Sequence, residues 1–124
     1  MPTYAKAPAE IAELVNDLMD RYHGKLLEAG VTVDLLLAHA KQDSDGPNPE
    51  AVALKQHGYQ VAALIRVVPY KLRVQGHGDA EITIDGDRWD EWPTAEREAL
   101  LDHELEHLEH HLRHRHAGDH DRIA

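Results

Sequence analysis

The sequence predicts an α+β fold in which one helix near the start and one near the end enclose a small, mostly antiparallel sheet of about three strands. Over residues 9–27, apolar side chains recur every three or four positions, the spacing of an amphipathic helix. Over residues 80–85, apolar and polar side chains alternate, as in a half-buried strand. A chain of 124 residues fits one domain, 1–124, and we expect flexible ends at 1–8 and 117–124.

Three further stretches complete the predicted fold. Residues 31–38 and 61–68 are rich in leucine and β-branched side chains and are predicted to be strands. Residues 70–74 also alternate, after a proline that bends or divides this part of the chain. Thr94 is a suitable N-cap for the last helix, which we expect to run to about His114.

Composition narrows the function classes. The chain has 23 acidic residues against 13 Lys and Arg, a formal net charge of -10, which disfavours binding to nucleic-acid phosphates. It has no cysteine, so a metal ion would have to be held by His, Asp or Glu. No stretch reaches transmembrane length and no signal peptide is visible, so we expect a cytoplasmic protein without a membrane partner.

The last predicted helix carries the pattern His-Glu-x-x-His at His103, Glu104 and His107. Two histidines four residues apart lie on the same helix face and can reach one zinc ion. Glu104 is offset by about 100°, so it can accept a proton from a zinc-bound water without replacing either histidine. We therefore predict His103 and His107 as metal ligands and Glu104 as the general base.

The helical context of this motif supports a site, although a second interpretation stays open. A leucine stripe lies roughly opposite the histidines, so one face can pack while the other lines a cleft; it comprises Leu101, Leu105, Leu108 and Leu112. Shuffled chains of this composition contain the motif in roughly 8% of cases. A solvated, His-rich helix surface that binds metal weakly would show the same pattern.

Residues 80–107 resemble the putative phage metallopeptidase family of phages and of bacterial genomes with phage-derived genes. The resemblance rests on an Ile-rich strand, Trp89, and a helix reading Glu-Arg-Glu-Ala-Leu-Leu-Asp-His-Glu-Leu-Glu-His over residues 96–107. It implies a minimal zincin-like domain, a zinc cofactor and a peptide or protein substrate. It also implies a place in the cytoplasm of a bacterial or phage-infected host cell.

The third metal ligand is harder to assign. Catalytic zinc usually has three protein ligands and one water. His114 lies about 16 Å along the helix axis from His103, too far to share an ion. A segment beyond a turn at Gly118 could fold back toward the site. The candidates, in order of preference, are His120 and then Asp119 or Asp121.

Other polar residues near the motif have simpler interpretations. Asp102 either orients a neighbouring histidine or faces solvent. Glu106 and Glu109 belong to a charged surface. Three histidines without a spacing partner are expected to be structural: His23, His39 and His57. Trp89 and Trp92 are expected to pack in the core.

The leading functional hypothesis is a zinc-dependent metallopeptidase in which residues 80–85 offer a strand edge to an extended substrate. The first alternative is a non-catalytic zinc-binding or partner-binding protein that retains the motif for structure. A second alternative is a helix that buffers several metal ions through its histidines, namely His107, His110, His111, His114 and His116.

Overall fold

Four strands form a mixed sheet, and the first and last helices pack against one of its faces. The computed structural model describes residues 2–40 and 52–119, with side chains through residue 112. The strands are β1 Thr3–Lys6, β2 Val33–His39, β3 Lys55–Gln56, β4 Tyr59–Gln60, β5 Ala63–Val67 and β6 Ala80–Asp85. The helices are α1 Ala9–Tyr22, α2 Gly24–Glu28, α3 Tyr70–Val74 and α4 Thr94–Asp119, and a 3₁₀ turn spans Trp89–Glu91.

The strand order is β1-β2-β6-β5, and the predicted α+β class is confirmed. β2 and β6 run parallel, while β1–β2 and β5–β6 are antiparallel. The sheet has one strand more than predicted because β1 forms within residues 1–8, which we expected to be a flexible end. Its four residues are too few to show a periodic pattern, and they are ordered by pairing with β2, for example Thr3 with His39.

β6 is one of the two inner strands and is more deeply buried than its alternating sequence predicts. Ile82 and Ile84 are fully buried among the helices. On the opposite side Asp85 is also buried, because its carboxylate accepts hydrogen bonds from the backbone of Asp87 and from the guanidinium of Arg88. The polar residues of the strand therefore do not mark a solvent-exposed face.

The expectation that residues 80–85 offer a strand edge to a substrate is wrong. β6 is hydrogen-bonded to β2 on one side and to β5 on the other, so its backbone has no free edge. Within the described part of the chain, β5 is the outer strand on this side of the sheet. The alternation of apolar and polar residues indicates which face of a strand is buried. The position of the strand in the sheet depends instead on long-range pairing.

Two helical segments differ from the sequence predictions. The helix predicted over residues 9–27 is interrupted at His23, where α1 ends and the single-turn α2 begins. Residues 70–74 form α3 and not a strand. Pro69 precedes the first helical residue and its carbonyl accepts the Leu72 N–H, so the proline starts a helical turn. Five alternating residues are too short to distinguish a strand from one helical turn.

α4 begins at Thr94 and continues to Asp119, five residues beyond the predicted end. Its leucine stripe is buried as predicted: Leu101 and Leu105 are fully enclosed, and Leu108 is nearly so. Trp89 is also buried, and its ring meets that of Trp92 edge to face. No helix in the described part of the chain is both long and apolar enough to cross a membrane.

The inner position of β6 leads to a stability prediction. Ile82→Ala should lower the free energy of unfolding by about 2 to 5 kcal/mol, because it opens a cavity at a fully buried site. Val74→Ala is the matched control, since Val74 is 67% exposed and its replacement should cost far less. Urea unfolding followed by circular dichroism measures both. Equal losses in the two variants would contradict the placement of β6.

Candidate metal centre on the last helix

His103 and His107 lie one helical turn apart on the exposed face of α4. Their Nε2 atoms are 3.0 Å apart, and the two rings meet edge to face with centroids 4.5 Å apart. Two ring nitrogens bound to one tetrahedral zinc ion would be about 3.4 Å apart. The observed separation of 3.0 Å also allows one ring to donate a hydrogen bond to the other. A small movement of either ring would thus bring the two Nε2 atoms to the spacing of two zinc ligands.

Glu104 lies at the margin between the buried and exposed faces of α4, and only 8% of its surface is exposed. Burial raises the pKa of the Glu104 carboxyl above its ordinary value, while the neighbouring charges of His103 and His107 act in the opposite direction. A carboxylate whose pKa is shifted toward neutrality is a stronger proton acceptor at ordinary pH. The environment of Glu104 therefore suits general-base chemistry.

The three motif residues line an open groove of about 1180 Å³ between α4 and β5. Along β5, the Ala62 carbonyl accepts the Asp85 N–H and the Val68 N–H donates to the Asp79 carbonyl. This register turns the backbone groups of Leu64 and Arg66 toward β6. The N–H and C=O groups of Ile65 and Val67 consequently face away from β6, toward an edge that no other strand of the described residues covers.

Two of the predicted metal ligands, His103 and His107, lie among the described side chains. Among these side chains, no group of three or more His, Asp or Glu is placed to hold a metal ion. α4 continues through Gly118 without the predicted turn, so the backbone of Asp119 lies about 18 Å along the axis from His107. His120 and Asp121 lie outside the described residues, and a third ligand from this region stays a prediction.

Comparison with protein families identifies the chain. The family model described as putative phage metallopeptidase matches residues 2–122, nearly the whole sequence. The chain belongs to the putative phage metallopeptidase family. The resemblance predicted from residues 80–107 is thereby confirmed, and it extends through the N-terminal half as well. Searches of curated proteins and of solved structures found no match.

Family membership gives the coarse function. The family description is that of a metal-dependent peptidase, a hydrolase that acts on peptide substrates. It specifies neither the metal nor the residues that perform the reaction. Those assignments depend on the side chains around the groove.

A charged cluster next to the motif was not predicted from sequence. His23 is only 5% exposed and lies between two carboxylates of α4. Its Nε2 is 2.6 Å from Asp102 Oδ1, and its Nδ1 is 2.8 Å from Glu109 Oε2. These partners are 79 and 86 residues from His23 in the chain, so no local spacing indicates the cluster. Asp102 and Glu109 thus have a buried partner that the sequence did not reveal.

The other isolated histidines lie outside the residues that line the groove. His39 Nδ1 is 3.0 Å from Asp87 Oδ1, and its ring covers Gly86, where a Cβ atom would lie 2.6 Å from the imidazole. Burial raises the pKa of the Asp87 carboxyl, but the backbone N–H of Ala40 and the His39 side chain outweigh it and leave the pKa lowered. His57 occupies the turn between β3 and β4, with φ of 53°.

The environment of Glu104 leads to a pH-dependent stability prediction. Because its pKa is raised on folding, the folded state favours the protonated carboxyl. Its contribution to stability is largest below the pKa of an unfolded glutamic acid and is lost as pH rises through the folded pKa. Glu104→Gln should therefore melt a few degrees above the wild type at neutral pH without metal, and the difference should vanish near about pH 4.

The control for this prediction is Glu106→Gln, which removes an exposed carboxylate from the same helix. Its melting temperature should stay close to that of the wild type at both pH values. Calorimetry of the metal-free chains measures the difference. An equal gain from both substitutions would mean that the total negative charge of the chain, and not the burial of Glu104, limits stability.

Proposed function

We propose that this chain is a zinc-dependent metallopeptidase with a zincin-like site helix, in which His103 and His107 hold zinc and Glu104 is the general base. The observation that carries the proposal is the convergence of the two Nε2 atoms, 3.0 Å apart, beside a buried carboxylate in one groove. Family membership supports a metal-dependent reaction on peptides.

The donor set fits zinc in part. The two imidazole nitrogens would be two of the three protein ligands that a catalytic zinc ion takes beside one open position, and Glu104 would stay free to act as the base. His120 remains the first choice for the third ligand, followed by Asp121. Asp119 is the least favourable of the three, because continuation of α4 carries its backbone away from His107. Bound zinc would polarise the substrate carbonyl and make a water molecule more acidic.

Glu104 would accept the proton released as water attacks the scissile carbonyl and then deliver it to the departing amine. Its position at the margin of the buried face favours both steps, because the carboxylate reaches the groove while its surroundings keep it poorly solvated. Burial also makes the protonated form accessible after the first transfer, since it raises the pKa of Glu104.

The edge of β5 that faces away from β6 is the natural place for an extended substrate. The outward-facing N–H and C=O groups of Ile65 and Val67 alternate with groups already bonded to β6, so a peptide could add as a further strand. Such a peptide would lie in the same groove as Glu104 and the two histidines. The proposed substrate-binding edge is therefore that of β5 and not that of β6, whose two sides are both paired.

A non-catalytic zinc-binding or partner-binding protein is the second candidate. It is favoured by one observation, namely that the described side chains supply only two ligands for the ion. In that case zinc would link residues of α4 to the region beyond it and stabilise the fold without any reaction.

The first test combines zinc titration with peptide cleavage. The wild type should bind one zinc ion per chain, and binding should be abolished in His103→Gln and His107→Gln. Glu104→Gln should retain zinc but cleave a peptide library at least about 100-fold more slowly, the usual contribution of general-base catalysis. Isothermal titration calorimetry and mass spectrometry of the products provide the two measurements.

Glu106→Gln is the matched control, since Glu106 lies on the same helix but is exposed. It should retain both zinc binding and cleavage. Zinc binding with no cleavage by the wild type would favour the second candidate. Cleavage that persists in Glu104→Gln would remove Glu104 from the mechanism.

The second test concerns the β5 edge. In the free protein, the amides of Ile65 and Val67 should exchange with deuterium faster than those of Leu64 and Arg66, which are bonded to β6. Adding a cleavable peptide to zinc-loaded Glu104→Gln should slow exchange at Ile65 and Val67 several-fold. NMR-detected exchange resolves the individual amides. A peptide that binds without protecting these two amides would exclude strand addition at β5.

A further inference from the structure

The buried His23 joins the end of α1 to the site helix through two hydrogen bonds. With its ring protonated, Nε2–H donates to Asp102 and Nδ1–H donates to Glu109, at 2.6 and 2.8 Å. Asp102 directly precedes His103, and Glu109 follows His107 by two residues. The imidazole therefore holds α4 at both ends of the segment that carries the proposed zinc site.

The two carboxylates occupy the same side of α4. They are seven residues apart, which is within about 20° of two full turns and roughly 10 Å along the axis. One imidazole can reach both because its ring nitrogens point in different directions. The backbone of His23 is itself fixed, since its N–H donates to the carbonyl of Met19 at the end of α1.

This arrangement constrains the rotation of α4 about its own axis. Measured from Asp102, the buried leucines lie about 60° to 120° around the helix, and Glu104 lies at about 160° in the same direction. His103 and His107 lie about 100° to 140° in the opposite direction. The buried face is thus bounded by the His23 contacts on one margin and by Glu104 on the other.

Leucine packing alone does not fix this rotation sharply, because apolar burial has no direction. Hydrogen bonds between an imidazolium and two carboxylates are short and directional. A small roll of α4 would break them and would change both the depth of Glu104 and the direction of the histidine pair. We propose that His23 is a positioning residue of the active site, which sets the rotation of α4 through Asp102 and Glu109.

The charge state of His23 agrees with this role. Burial lowers the pKa of the imidazole, but the hydrogen bonds and charges of Glu109 and Asp102 outweigh it, and the pKa is raised above its ordinary value. A raised pKa favours the imidazolium form, in which both ring nitrogens carry protons, as two simultaneous donor contacts require. Removing one carboxylate would leave the imidazolium with a single partner.

The inference rests on the proposed function, because it concerns the orientation of the proposed zinc ligands. The test therefore includes a readout that needs no metal. The ring nitrogens of His103 and His107 are recorded by NMR in the metal-free wild type and in His23→Gln. We expect their signals to shift in the variant, because a roll of α4 changes the surroundings of both rings. Zinc affinity should also fall roughly tenfold, as expected when a supporting contact near a metal ligand is removed.

His39→Gln is the matched control. It removes another histidine–carboxylate contact, that of His39 with Asp87, which does not involve α4. The control should leave the His103 and His107 signals in place and zinc affinity within about twofold of the wild type. If His23→Gln lowers the melting temperature but changes neither readout, His23 is merely structural and the proposal is overturned.

Glu109→Gln provides a milder variant in case His23→Gln does not fold. It keeps the size of the side chain and the Asp102 contact, and it should shift the ring signals and weaken zinc binding in the same direction by a smaller factor. Unchanged ring signals and affinity in Glu109→Gln would also overturn the proposal. A wild type that binds no zinc would refute the proposed function, while the metal-free ring signals would still decide the role of His23.

Discussion

The burial of one face of α4 against the sheet is the constraint on which the site depends. Leu101, Leu105 and Leu108 belong to one buried core with residues of the inner strand β6 and of α1, and this core contains no phenylalanine. Because this face is buried, the opposite face must carry the polar groups that line the groove. The stability of the fold and the placement of the histidines are therefore two results of the same packing.

Glu104 shows that the stability of the fold and the chemistry of the groove depend on the same part of α4. Its side chain is almost as buried as the neighbouring leucines, although a carboxylate loses hydration there. The loss of hydration opposes folding and at the same time raises the pKa of Glu104, which favours proton transfer. Under the proposed function, this loss of stability in the metal-free chain would accompany a stronger general base, and metal binding to the folded state would offset the loss.

The groove depends on the edge position of β5 as much as on α4. Pairing of β6 with both β2 and β5 leaves the outward backbone groups of β5 beside the motif. On the other margin of α4, His23 supplies directional contacts that leucine packing lacks. The site is thus bordered by backbone groups available to a substrate on one side and by a buried charge cluster on the other.

The sequence by itself determined the α+β class, the core face of α4, the family and the one-turn spacing of His103 and His107, because helical periodicity and a continuous motif are local properties. The tertiary structure decided the features that depend on distant residues. It placed β6 between β2 and β5, left β5 at the edge, added β1 and brought His23 between Asp102 and Glu109. Strand order and ion pairing join segments tens of residues apart, so no local pattern encodes them.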